Sequence, residues 1–349
     1  MKEIWEEYLK KAENLSLYVK RLREIETLTK SDSDYQENLS VKVQDLNKML
    51  TKRLYDYNLI IITLYGILEG FIEQLIKEYL NSLSNSISDY KKLPEVIRIN
   101  HMMLSAELIK NVDKFEKFKF LSKEKIVNNL YSCISGASKY VINVDAFVNH
   151  SSNFRKEAIR EIFKEIGVEN ITQGICRDEQ FKQYFIDYEN KEKGDLRHLT
   201  EDSFFEILKD IVERRNWIAH GNEVDDILSL GILANYIFYI EHLMGAIYNI
   251  VYKQYIVIQI EANDKLFLGK PEKVYNNCII GIKNQNHKIC VGMYAFSKNP
   301  ITQEVRAGKI LSIKYNDCFL NEIKEEENLF IGIKVDYYVK NNYDFGILI

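Results

Sequence analysis

The sequence predicts a mainly α-helical chain that ends in a small C-terminal antiparallel β-barrel or sandwich. Three observations carry that expectation. Only three prolines, Pro94, Pro271 and Pro300, interrupt 349 residues, and long proline-free stretches favour long helices. Apolar residues recur at helical spacing over most of residues 2–252. Beyond about Lys253 this period gives way to short β-type runs bounded by turn residues.

The elements follow in order. Ile4, Tyr8, Ala12, Leu15, Tyr18, Leu22 and Ile25 make residues 2–30 an amphipathic helix, and Ser31–Asp34 reads as a turn or a helix start. From about Leu39 to Leu83 the chain is expected to be helical. Its second half, from Leu59 to Leu80, is apolar on nearly every face, as in a helix central to a bundle or at an oligomer interface. Residues 84–199 read as a helical insertion with polar connections at Asn85–Lys92 and Glu189–Asp195. Within it Val148–Asn153 leads into a helix, Phe154–Ile166, which Gly167 stops.

Thr200–Ser203 opens a helix with Phe204, Ile207, Leu208, Ile211 and Val212 on one stripe. It should close at His220-Gly221-Asn222, where glycine supplies a left-handed backbone. A further helix runs from Glu223 to about Tyr252. Strands are expected at Tyr255–Ile260, Cys278–Ile282, Ile289–Met293, Ile310–Ile313 and Leu329–Val335, with turns at Asn284–Asn286, Asn299-Pro300 and Asn316-Asp317. The domains are then 1–252, with a core of about 40–83 and 200–252 around the insertion, and 253–349.

Composition narrows the function. Hydrophobic residues make up 46% and charged residues 28%, an ordinary globular balance. A net charge of -4 argues against a protein that coats long nucleic acid by charge, and leaves room for a local RNA cleft. The five cysteines are widely spaced with no CxxC pair, so neither a disulfide framework nor a zinc site is expected, and a reducing cytoplasm is. Met1–Lys11 is charged with no apolar core behind it, unlike a signal peptide. Leu59–Leu68 is short for a membrane span, and no membrane is called for.

The chemistry concentrates in Arg214-Arg215-Asn216-Trp217-Ile218-Ala219-His220-Gly221. RNA cleavage without a metal needs a group to move protons at the 2′-hydroxyl and the departing 5′-oxygen. It also needs a cation against the pentacovalent phosphate, and a polar group to orient one of them. Histidine suits the first task, arginine's planar fork the second, and asparagine the third. Asn216 and His220 share a helical face, whereas Arg215 and His220 differ by about 140° of rotation. The helix must therefore unwind near Gly221, or two motifs must face each other across a dimer. Arg215 falls on the apolar stripe, where a cleft or a buried partner such as Glu69 accounts for it. A histidine at a helix end also serves simply as a C-terminal cap.

These residues resemble the HEPN superfamily, whose ribonucleases carry an arginine and, a few residues on, a histidine at a helix end in a small bundle. The form Arg-Asn-x-x-x-His-Gly is similar to the branch with asparagine after the arginine. Tyr65–Glu73 resembles the family's earlier helix, which carries an acidic residue, and Asn149–Val168 a segment of some bacterial members. The resemblance spans roughly residues 40–252 and implies a HEPN-like bundle. It also implies metal-independent endoribonuclease activity on single-stranded RNA, leaving 2′,3′-cyclic phosphate and 5′-hydroxyl ends, with no cofactor. A homodimer with a composite cleft, a toxin or anti-phage role, and an antitoxin or trigger partner are implied as well. Its catalytic set is His220 as general acid or base, Arg215 as phosphate clamp and Asn216 as orienting group. Glu69 would hold Arg215, and Arg214 would assist RNA binding or be a solvated surface residue. A catalytically silent HEPN dimer that binds a partner protein is the alternative.

Elsewhere the signals are structural. His150–Asn153 lacks a nucleophile elbow and reads as a polar loop leading into a helix. His101, His198 and His242 have no metal-ligand spacing, and no GxxxxGK[ST] or GxGxxG occurs. Tyr236, Tyr239 and Tyr248 sit at core spacing. The β region carries no catalytic cluster and reads as an RNA- or trigger-contacting barrel, or as a partner-binding module.

Overall fold

A computed structural model of the chain describes residues 1–30, 51–114, 116–137, 139–149, 153–188, 196, 199–221, 226–262, 265–284, 287–302, 304–323 and 329–348. The expected turn at Ser31–Asp34, the helix start at Leu39, the Glu189–Asp195 connection and residues 150–152, 198, 222 and 223 lie outside them. The chain divides into two compact units, Met1–Ser82 with Glu95–Val251, and Leu83–Pro94 with Tyr252–Ile349.

Ten helices are described: α1 Lys2–Lys30, α2 Thr51–Ser86, α3 Glu95–Asn111, α4 Lys123–Ile134, α5 Lys156–Glu165, α6 Ile171–Arg177, α7 Glu179–Tyr188, α8 Glu201–Phe204, α9 Glu206–Ala219 and α10 Leu230–Ala262. The all-round apolarity of α2 has the expected outcome. Ile60, Ile61, Leu64, Leu68, Phe71, Ile72, Leu75 and Ile76 are fully buried, which is where a helix without a polar face is stable. By length and composition alone α2 from Arg53 and α10 are long and apolar enough to cross a membrane, and 56% and 44% of their most apolar windows are buried within the protein. Trp5 of α1 meets Phe71 of α2 edge-on at 6.1 Å and stacks on Tyr248 of α10 at 5.9 Å, tying these three helices together. Phe181 and Tyr184 of α7 pack their rings on Tyr239 of α10, whose hydroxyl donates to the Phe204 carbonyl.

Three helical expectations need correction. The single helix from Thr200 is two, because Phe205 leaves helical geometry at φ -111, ψ 7. The Thr200 side chain still caps the first of them, accepting the Ser203 N–H. The last long helix starts at Leu230 rather than at Glu223: Ser229 stands at its head, its hydroxyl accepting the Ile232 N–H at 3.3 Å. Tyr255–Ile260 is helical, not a strand. Its β-branched run is buried on both faces, and within the second unit Ile256 and Ile260 pack against Phe296, so tertiary packing overrides local preference.

Ten strands follow: β1 Lys265–Gly269, β2 Lys273–Tyr275, β3 Ile279–Asn284, β4 Ile289–Cys290, β5 Tyr294–Lys298, β6 Val305–Tyr315, β7 Cys318–Leu320, β8 Glu322–Ile323, β9 Leu329–Val335 and β10 Asp344–Leu348. Eight form an antiparallel half-barrel in the order β1-β10-β5-β6-β9-β3-β2, with β7 on β6, and β4 pairs separately with β8. The expected run at Ile289–Met293 is a two-residue strand followed by a turn at Val291-Gly292. Asn316 and Asp317 both take positive φ at the β6–β7 hairpin, the left-handed pair that suits the twist of the flanking strands. Ile280, Ile282, Ile313, Ile331 and Ile333 fill the concave core.

Candidate active site

The end of α9 carries Arg214, Arg215, Asn216 and, as its C-cap, His220. Gly221 follows at φ +70, the left-handed closure that glycine adopts without a side-chain clash. From α2, Tyr65 and Glu69 project on one face, being four residues apart. Asn153 and Phe154 come from the segment just before α5.

Arg215 is half-buried and lies where these elements meet. Its guanidinium carbon stands 4.8 Å from the centre of the Tyr65 ring, a distance at which the ring's face attracts a cation. Its Nη1 donates to Asn153 Oδ1 at 3.2 Å and to Asn216 Oδ1 at 3.1 Å, and Asn153 Nδ2 closes the triangle by donating to Asn216 Oδ1 at 2.9 Å. Every partner is neutral. Among the described residues no carboxylate lies within ion-pair distance of Arg215, so its position is fixed while its charge stays uncompensated.

Tyr65 holds this arrangement from beneath. Its buried hydroxyl accepts the Phe154 N–H at 3.1 Å and donates to Glu69 Oε1 at 3.3 Å. Burial, reinforced by the Glu69 charge, pushes its pKa up to about 12 against the opposing pull of the Phe154 N–H and Arg215. The expected Glu69–Arg215 pairing is thus replaced by an indirect one. Glu69 grips the hydroxyl of the ring on which Arg215 rests.

His220 is exposed, and among the described residues its imidazole makes no hydrogen bond; only its backbone N–H returns to the Asn216 carbonyl at 3.1 Å. The structure brings Arg215 and Asn216 together and leaves His220 unbonded to either side chain. Trp217, between them in sequence, is 56% exposed.

Arg214 is neither solvated nor aimed at a ligand. Its Nε bonds Asp210 at 2.6 Å, its Nη1 donates to the Tyr57 hydroxyl and the Asp226 carbonyl, both at 2.9 Å, and its Nη2 reaches the Asp226 carboxylate at 3.2 Å. Asp210 also accepts the Tyr236 hydroxyl at 2.6 Å. The side chain is only 18% exposed and fastens α9 to α2 and to the segment before α10. A pair this covered lies between an exposed one and a fully buried one, so Arg214→Ala should cost about 2 kcal/mol. In a unit of this size that lowers Tm by about 5 °C. An unchanged melting curve would show that the network adds nothing.

Of the other histidines, His101 and His242 pack within the helical unit, and His150 and His198 lie outside the described residues. His101 is fully buried, its Nε2 accepts the Asn143 N–H at 2.9 Å, and burial pushes its pKa down to about 4. His242 packs against Phe238 and Tyr184. Tyr236 and Tyr239 are buried as their spacing predicts, whereas Tyr248 is half-buried and stacks on Trp5.

Sequence reasoning missed Asn153 and Tyr65 as site residues. Asn153 belongs to a polar loop set aside as a helix lead-in, and only its amide chemistry hinted at a partner. The family model described as RiboL-PSP-HEPN matches residues 16–253, more than half of the chain and all of this site. A search of curated proteins finds no match.

Proposed function

The chain belongs to the RiboL-PSP-HEPN family of the HEPN superfamily, and from that premise we propose that it is a metal-independent endoribonuclease for single-stranded RNA. HEPN domains are typically ribonucleases, and they generally bind RNA and dimerise. The observation that carries the reading is Arg215, held by two amides and a ring with its charge uncompensated among the described residues. An arginine kept in place only for stability would be expected to face a carboxylate, as Arg214 does. A cation already positioned but not neutralised suits a phosphate passing through a pentacovalent state.

In this mechanism His220 takes the 2′-hydroxyl proton or returns one to the 5′-oxygen, and Arg215 stabilises the phosphorane. Asn216, whose Oδ1 is used by Arg215 and Asn153, has its amide NH₂ left to orient the phosphate or the imidazole. Ideal helical geometry sets Arg215 and His220 about 140° apart, so in this reading the cleft is composite, each phosphate meeting groups from two protomers. The reading extends to a cytoplasmic toxin or anti-phage effector restrained by an antitoxin or released by a trigger.

Incubation of the chain with single-stranded RNA in EDTA tests the proposal. Fragments with 2′,3′-cyclic phosphate and 5′-hydroxyl ends are expected. RNA bound but left intact at high protein concentration would instead identify a silent binding module.

A further inference from the structure

The half-barrel has an outward face that the helix-end site does not use. Strand register places Lys273 of β2, Gly281 of β3, Gly332 of β9, Lys314 of β6 and Phe319 of β7 side by side. Buried isoleucines at the alternating positions point these residues away from the core. Five strands make a row about 20 Å wide. The adjoining outward positions hold Tyr275, Lys334 and Ser312 on one side, and Lys283 beside Phe330 on the other.

Three aromatic rings stand open on this face: Tyr275 is 48%, Phe330 49% and Phe319 74% exposed. Two glycines form its floor. A side chain at Gly281 would come within 3.0 Å of the Phe330 ring, so the ring lies over that glycine. The lysines interleave with the rings: the Lys273 ammonium is 4.9 Å from the Tyr275 ring centre, and that of Lys314 is 5.9 Å from Phe319. Lys314 also pairs with Asp317 at 2.8 Å. Among the described residues Lys273, Lys283 and Lys334 have no carboxylate within ion-pair distance. Among the described residues no acidic side chain occupies an outward position in these rows.

We propose that this face of the half-barrel binds single-stranded RNA, bases stacking on Tyr275, Phe319 and Phe330 while the lysines track the phosphates. Cationic groups alternating with open rings complement a strand whose phosphates alternate with unpaired bases. A duplex presents the phosphates but not the base faces. An acidic protein segment presents charge without stackable rings. The assignment stands on the second unit and does not depend on cleavage at the helix end.

Fluorescence anisotropy of the full chain with a 2′-O-methylated strand of roughly ten nucleotides tests it. Such a strand has no 2′-hydroxyl to attack, so binding is read apart from catalysis. Tyr275→Ala, Phe319→Ala and Phe330→Ala should each weaken binding about tenfold. Lys273→Gln and Lys334→Gln should each make the dependence of affinity on salt shallower by about 0.7 in log–log slope. All five residues are exposed, and unchanged circular dichroism checks the fold. Binding that survives all five substitutions overturns the proposal. So does a duplex bound as tightly as the single strand, or full displacement by a poly-glutamate competitor at equal charge.

Discussion

His220→Ala is expected to lower RNA cleavage about a thousandfold while leaving the fold intact. The magnitude is that of losing a positioned general acid or base. The change is readable because His220 is exposed and its side chain bonds nothing among the described residues. Its backbone N–H to the Asn216 carbonyl survives the substitution. Stability should move by less than about 0.5 kcal/mol, as for an ordinary surface substitution. Single-turnover cleavage of a labelled strand, beside a thermal melt, separates the two effects. Cleavage that persists in the variant at the wild-type rate would remove His220 from the mechanism and leave it a helix cap.

The second large effect is expected at Arg215. Arg215→Lys keeps the charge but loses the planar fork that bonds Asn153 and Asn216 with one nitrogen and leaves the rest for phosphate. Removal of one preorganised donor from a developing charge typically costs about a hundredfold in rate, and that loss is expected here. Asn153→Ala, which frees the same nitrogen without touching the charge, should lose about tenfold by letting the fork wander. A lysine variant with wild-type activity would mean that a point charge suffices. The composite cleft adds a further measurement: His220→Ala and Arg215→Ala chains, each inactive, should regain activity when assembled together, since a mixed dimer restores one histidine and one arginine. No recovery in verified mixed dimers would place the whole reaction within one chain.

The local part of this site was legible in the sequence. Arg215, Asn216, His220 and Gly221 are neighbours, and helical geometry alone says which share a face and how the helix closes. Asn153 was not, because its partners lie 63 and 62 residues away and its own helix lead-in carries no period. Tyr65 was visible only as part of an apolar helix; that its ring bears a cation depends on the packing of α2 against α9. The same limit explains Arg214, whose partners Tyr57 and Asp226 come from elements on either side of α9. In the second unit, Leu329–Val335 alternates and was legible as a strand, whereas Tyr255–Ile260 satisfies both periods at once and only its neighbours decide.

The clamp around Arg215 has a consequence in entropy. An arginine side chain free in solvent gives up about 2 kcal/mol of rotameric freedom when it is fixed. Here the Tyr65 ring, Asn153 and Asn216 have already fixed it before any strand arrives. That ordering is charged to folding rather than to encounter, so a passing phosphate meets a cation whose conformation need not be selected.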